Sequence, residues 1–151
     1  MNSTDHDDAY PTCAETHATL RIYPGDLDPD SVTGRLGIEP SDWQRRGEPR
    51  RIGGVSKVAP ISGWFLSSEG HIVSRDVRRH LDWLLDRLAA KAPLLRSLHE
   101  EGSRIEVCCK WLSMSGHGGP ILSPAQMRGL SELGLELWFD IYFVSANDPA
   151  S

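Results

Sequence analysis

Apolar and polar positions alternate over residues 18–23, with Leu20 and Ile22 on one side and Thr19, Arg21 and Tyr23 on the other. A period of two predicts a half-buried strand, and Pro24-Gly25 ends it. Residues 104–112 predict a second strand. The clearest alternation comes last. Leu135, Leu137, Phe139, Ile141 and Phe143 point one way, and Trp138, Asp140, Tyr142 and Val144 the other. The first set is expected to pack on helices, leaving the second to face something else. Between these strands the period changes. Val77, Leu81, Leu84, Leu85, Leu88 and Leu95 recur at helical spacing and predict a long helix from Ser74. Pro93 is expected to kink or break it, because the ring clashes with the carbonyl four residues back. Gly102 should end it.

Two shorter helices are marked by their ends. Asp28 suits an N-cap, Pro29 the first helical position and Gly37 a left-handed close. Leu27 before the cap can meet Val32 as a hydrophobic staple. Ser123, Pro124 and Gln126 form a second start, a Ser-x-x-Gln capping box, and Gly134 a second close. Met127 stands where Val32 stood, and Gly129 where Gly34 stood. A strand precedes each helix and a Trp-Phe pair follows each, Trp64-Phe65 and then Trp138-Phe139. These parallels predict an internal repeat of a strand–helix–strand unit. Residues 39–62 contain Pro40, Pro49 and Pro60 and predict an irregular loop in the first copy.

The 151 residues fit one domain, with 18–144 as its body. Residues 1–17 are expected to form a mobile N-terminal arm, and 145–151 a tail. Sixteen Lys and Arg against 21 Asp and Glu leave a net charge of −5, which weighs against a nucleic-acid binder. Met1 to Asp8 has neither the basic start nor the apolar stretch of a secretory signal. No apolar run approaches the ~20 residues that span a bilayer, so no membrane association is expected. Cys13, Cys108 and Cys109 are an odd set with two adjacent members. They predict reduced thiols and a cytoplasmic location rather than a disulfide framework.

Three places could carry chemistry. Alternation puts Arg21 and Tyr23 on one sheet face with Trp138, Asp140 and Tyr142, a mixture suited to a peptide or a small polar ligand. The alternative is that the 39–62 loop covers this face and the aromatics form a second small core. The loop itself carries Arg45, Arg46, Arg50, Arg51 and Lys57 beside Trp43. Arginine forks hold phosphate or carboxylate, so an anionic ligand or acidic partner surface is a second expectation. The Gly-rich stretch 115–120, with His117, precedes a helix N-terminus but lacks nucleophile-elbow and phosphate-loop spacing. It reads as a connection. The six histidines show no metal-ligand spacing, and no metal or cofactor is expected.

Taken in order, further residues form a pattern. They are Leu27-Asp28-Pro29, Leu36-Gly37-Ile38-Glu39-Pro40, Trp43, Gly47-Glu48, Trp64, His80-Leu81, Trp83-Leu84-Leu85, Leu133-Gly134-Leu135 and Asp140-Ile141-Tyr142. Over residues 18–144 this pattern resembles the bacterial family catalogued as domain of unknown function 4279. The resemblance implies no activity and no catalytic residue. It does mark Trp43, Gly47, Trp64, Asp140 and Tyr142 as family-type positions.

The expected fold is α+β, with a single four-stranded sheet, helices mainly on one face and two βαβ-type halves. A ferredoxin-like plan with an extra helix is the nearest. The expected function is non-enzymatic binding of a protein partner through Tyr23, Trp43, Arg45, Arg46, Trp64, Trp138, Asp140 and Tyr142. By analogy alone, an immunity-type role suits a small acidic domain. A sensor of a small or anionic ligand is the alternative. A hydrolase or transferase using His117 or His80 with a carboxylate ranks third.

Overall fold

In the computed structural model, which describes residues 5–144, helices start and stop at the residues chemically suited to it. α1 (Pro29–Leu36) begins where the Asp28 carboxylate accepts the Asp30 N–H at 2.9 Å, and closes at Gly37 with φ 67°. α2 (Val77–Leu88) is capped by Asp76. The long helix breaks where Pro93 demands it. A 3-10 turn, Ala89–Lys91, leads to α3 (Ala92–Glu100), which holds the proline in its first turn, where no N–H is missed. α4 (Pro124–Leu133) carries the capping box of Ser123 and Gln126 and closes at Gly134.

The first strand, β1 (Cys13–Tyr23), starts at Cys13 rather than residue 18. A register shift between Cys13 and Glu15 turns both Cys13 and Thr16 inward. That bulge breaks the period of two and hides the strand's first half from a pattern search. Residues 13–17, expected in the arm, therefore belong to the sheet. Upstream, the Asp7 N–H donates to Asp76 Oδ2 at 2.7 Å and the Tyr10 hydroxyl to the Gly119 carbonyl at 2.8 Å. Residues 1–4 of the arm and the tail 145–151 lie outside the described residues.

The 39–62 stretch is not an irregular loop. It holds β2 (Asp42–Gln44) and a hairpin of β3 (Pro49–Ile52) and β4 (Val55–Val58). Gly53 and Gly54 turn the hairpin with φ of 58° and 81°. Two successive positive φ values favour glycine and match the twist of the flanking strands. Proline content obscured this short-range signal. β5 (Gly63–Ser67) follows.

The main sheet has five strands rather than four, in the order β2-β5-β1-β6-β7, where β6 is Arg104–Ser113 and β7 is Glu136–Phe143. β7 runs parallel to β6, and the other neighbouring pairs are antiparallel. The two halves return differently. β6-α4-β7 is a βαβ unit with adjacent strands. β2 also runs parallel to β1, since both oppose β5, but β5 stands between them. One split and one unsplit crossover depart from a ferredoxin-like plan. The Trp-Phe pairs differ in phase as well. Trp64 lies opposite Ile22 and faces the core, whereas Trp138 lies beside Cys108 and faces away. The predicted repeat thus extends to the helix ends and not to the strands.

All four described α-helices pack on one face, as expected. Val32, Leu36, Leu81, Leu84, Leu95, Leu98 and Leu130 meet Leu20, Ile22, Trp64, Leu66, Val107 and Cys109 in one core. α4 approaches α2 closely at Gly129, where an added Cβ would stand 2.9 Å from Leu85 Cδ1.

Candidate functional site

Among the described residues nothing covers the other sheet face. Arg21, Tyr23, Phe65, Cys108, Lys110, Trp138, Asp140 and Tyr142 all turn away from the core and meet there. Most of them line a broad concavity of about 1040 Å³, with Asp42 and Arg50 at its rim. The hairpin reaches that rim without crossing the face. Arg50 lies 5.7 Å from the Phe65 ring centre, pairs with Asp42 and donates to the Trp43 carbonyl at 2.6 Å. Trp138 and Tyr142 keep 41% and 47% of their surface exposed, so the aromatics do not form a covered second core.

Contacts within the face hold its side chains in place. The Arg21 guanidinium stacks 4.7 Å from the Trp138 ring centre and reaches the Tyr23 hydroxyl at 3.5 Å. Trp138 Nε1 donates to the Glu106 carboxylate, and the Tyr142 hydroxyl donates to Asp140 Oδ2 at 2.8 Å. That bond to Asp140 pushes the Tyr142 hydroxyl above its ordinary pKa. Burial pushes the Cys108 thiol up, and the neighbouring Arg21 draws it only part of the way back. The sulfur therefore stays protonated and is a poor nucleophile. His17, on the same face, has Nε2 3.5 Å from Glu69, while burial lowers its pKa and favours the neutral ring.

Tyr23, Trp138, Asp140 and Tyr142 thus come together as the alternation requires. The other four expected residues do not join them. Trp64 is fully buried among the helices, and its Nε1 donates to Thr33 Oγ1 at 2.9 Å. It is a core residue. Trp43 lies opposite Trp64 in the ladder, which places it on the helix side of the edge strand β2. Arg45 stacks 5.0 Å from the Trp43 ring centre and reaches back to Asp28 at 2.6 Å and Glu48 at 3.2 Å. Its fork ties β2 to the start of α1 and is occupied. Arg46 projects into solvent, 4.0 Å from Asp26. The basic loop is therefore divided, with Arg45 and Arg50 in internal pairs rather than poised for an external anion. Arg50, Cys108 and Lys110 belong to the face and were not singled out for it. Period two places Cys108 and Lys110 together, but assigning them to this face needs the pairing of β6 with β1.

The histidines named for possible chemistry have other roles. His80 is buried, with Nε2 2.9 Å from the Ser74 carbonyl and Nδ1 2.7 Å from Ser68 Oγ. Burial lowers its pKa. The neutral ring then donates from Nε2 and accepts from Ser68, whose oxygen also takes the Ala18 N–H at 3.0 Å. His80 fastens α2 to β1. His117 sits in the Gly-rich connection, where its carbonyl accepts from Ser113 Oγ at 3.1 Å. A second concavity of about 1180 Å³ lies between α2 and α4. Some of its polar groups are paired with one another, with His6 and Gln126 on Asp82 and Arg78 on Ser123. Among the described residues no group of His, Cys, Asp and Glu side chains could hold a metal ion. No described helix is long and apolar enough to cross a membrane.

The description of a protein family matches residues 14–144. The chain belongs to the DUF4279 family. That family is a domain of unknown function, so membership brings neither substrate nor partner. No curated protein and no solved structure matches the chain. The family match runs from Ala14, the second residue of β1, past the end of β7, and includes every residue of the open face.

Proposed function

We propose that this DUF4279 domain is a non-enzymatic binding module that engages another protein through its open sheet face. One observation carries the reading. Arg21, Trp138, Tyr23 and Tyr142 form a preorganised aromatic and arginine surface on the sheet, with no helix or loop over it among the described residues. Tyr, Trp and Arg are the side chains that anchor protein interfaces, and holding them in place beforehand lowers the entropy lost on binding. The width of the concavity suits a protein surface better than a small molecule, which needs enclosure. Its charges are mixed, with Lys110 and Arg50 among Asp42 and Asp140, so a partner of mixed charge fits better than a simple anion. The protonated thiol and the engaged carboxylate argue against group transfer on this face. Three buried free thiols suit a reducing compartment such as the cytoplasm. An immunity-type role would be one form of such binding.

Site-specific photo-crosslinking tests the proposal. A benzophenone amino acid is placed at Tyr142 on the face, or at Arg46 outside it, in the producing cells. The face position should yield a discrete adduct with a protein other than a second copy of the chain, which Arg21→Glu abolishes, and the Arg46 position should not. Adducts equal at both positions, or unaffected by Arg21→Glu in a folded protein, would refute the use of this face.

A further inference from the structure

The two edges of the sheet are treated differently. β2 is three residues long, and the Arg50 side chain caps the Trp43 carbonyl on it. Short length and a charged cover are devices that stop a sheet from adding strands. β7 has neither. It is eight residues long, in unbroken register with β6, and Glu136–Phe143 contains no proline, glycine or lysine. Among the described residues no strand lies on its outer side. Leu137 and Phe139 pack against the core, but farther along the strand Ile141 and Phe143 are left 48% and 63% exposed. Singly, such residues are ordinary; in alternation along a free edge they are half of a ladder.

The strand is complementary to itself in one antiparallel register. A two-fold axis at Asp140 would set two carboxylates directly opposite one another, which is unfavourable. An axis at Phe139 would carry Phe143 past the end of the partner strand. An axis at Tyr142 would set Asp140 against Val144. An axis at Ile141 has none of these faults. It places Ile141 on Ile141, Phe139 on Phe143 and Asp140 on Tyr142 of the second copy. Apolar then meets apolar on the helix side, and on the open side each carboxylate gains a second hydroxyl.

We propose that the protein forms a homodimer by antiparallel pairing of β7 with β7 of a second copy, centred on Ile141. The two sheets join into one of ten strands. The two open faces become continuous, with the Asp140 and Tyr142 pairs at the junction. The dimer stands on the edge strand alone and does not depend on the binding role of the face, so either idea can fail without the other.

Sedimentation velocity on the full chain, from micromolar to hundreds of micromolar, tests this. A species of twice the chain mass is expected, and Ile141→Lys should raise its dissociation constant by at least about tenfold, because it sets two ammonium groups opposite each other. Ile141→Cys gives an independent readout. Directly opposed residues stand about 4.5–5.5 Å apart between Cα atoms, within disulfide reach. Mild oxidation should then give a covalent dimer, against little background from three buried native thiols. A chain that stays monomeric throughout, with no crosslink from Ile141→Cys, overturns the proposal and leaves the edge to a different segment. So does a dimer that Ile141→Lys leaves intact.

Discussion

Gly34 and Gly129 hold matching places in α1 and α4, and alanine should act oppositely at the two. Replacing glycine by alanine in a helix interior gains about 0.8–1 kcal/mol by propensity. At Gly34 nothing lies within 4 Å of an added Cβ, so that gain should appear nearly whole. At Gly129 the Cβ would stand 2.9 Å from Leu85 Cδ1 and 3.4 Å from Cδ2. Leu85 belongs to the core cluster and is only 9% exposed, which leaves its methyl groups little room to move. Overpacking of this kind costs about 1–3 kcal/mol, which cancels or exceeds the propensity gain. Gly129→Ala should therefore be neutral to about 2 kcal/mol destabilising. Urea denaturation of both variants at equal m-value would measure this. In a Leu85→Ala background the obstruction is gone, and Gly129→Ala should become stabilising. If Gly129→Ala stabilises the wild-type chain as much as Gly34→Ala does, α4 does not sit as closely on α2 as described.

Two further outcomes follow from the buried polar groups. His80 and His17 are held below the ordinary histidine value of 6.5 by burial. The unfolded chain therefore takes up protons first as pH falls, and stability should decline from pH 7 to 5.5 by up to about 1.4 kcal/mol per unit for each group. Above pH 7 these groups give no slope. A flat profile by denaturant titration at each pH would show that the rings are not kept neutral. Asp76 is buried. Burial opposes its charge, yet hydrogen bonds from Arg78 and the Asp7 and Arg78 N–H groups hold its pKa below the usual value. Asp76→Ala removes the α2 cap and leaves Arg78 without its carboxylate partner, at a cost of about 3 kcal/mol. A thermal or urea shift worth under about 1 kcal/mol would contradict that account.

Local chemistry was legible in the sequence and long-range pairing was not. Asp28, Gly37, Ser123, Gln126, Gly134 and Pro93 act on backbone groups within a turn of themselves, so each set its helix boundary whatever the rest of the chain did. Period two likewise sorted Trp138, Asp140 and Tyr142 from Phe139 and Ile141. The likeness of Trp64-Phe65 to Trp138-Phe139 misled, because one residue of phase exchanges the two sheet faces. Only the pairing of Trp64 with Ile22 reveals which face each tryptophan takes. Trp43 failed for the same reason. Its face is inherited from Trp64 through the β2–β5 ladder, which alternation inside a three-residue strand cannot show.

The inserted segment also explains why the face is bare. On composition alone, 39–62 was long and basic enough to fold over the aromatics. Instead the chain pairs with itself. Gly53-Gly54 closes β3 on β4, β2 adds to β5, and Arg45 and Arg50 are drawn into ion pairs with Asp28, Glu48 and Asp42. Each of these contacts satisfies the insertion locally and removes a reason for it to cross the sheet. Antiparallel β5 can occupy the place beside β1 because β2, on the far side of β5, completes the crossover from α1. In the second half α4 returns directly to β7, and among the described residues no strand is inserted and none lies beyond that edge. The insertion therefore guards one edge and covers neither the open face nor the other edge. That asymmetry, rather than the basic charge of the segment, is what the proposed binding role would draw on.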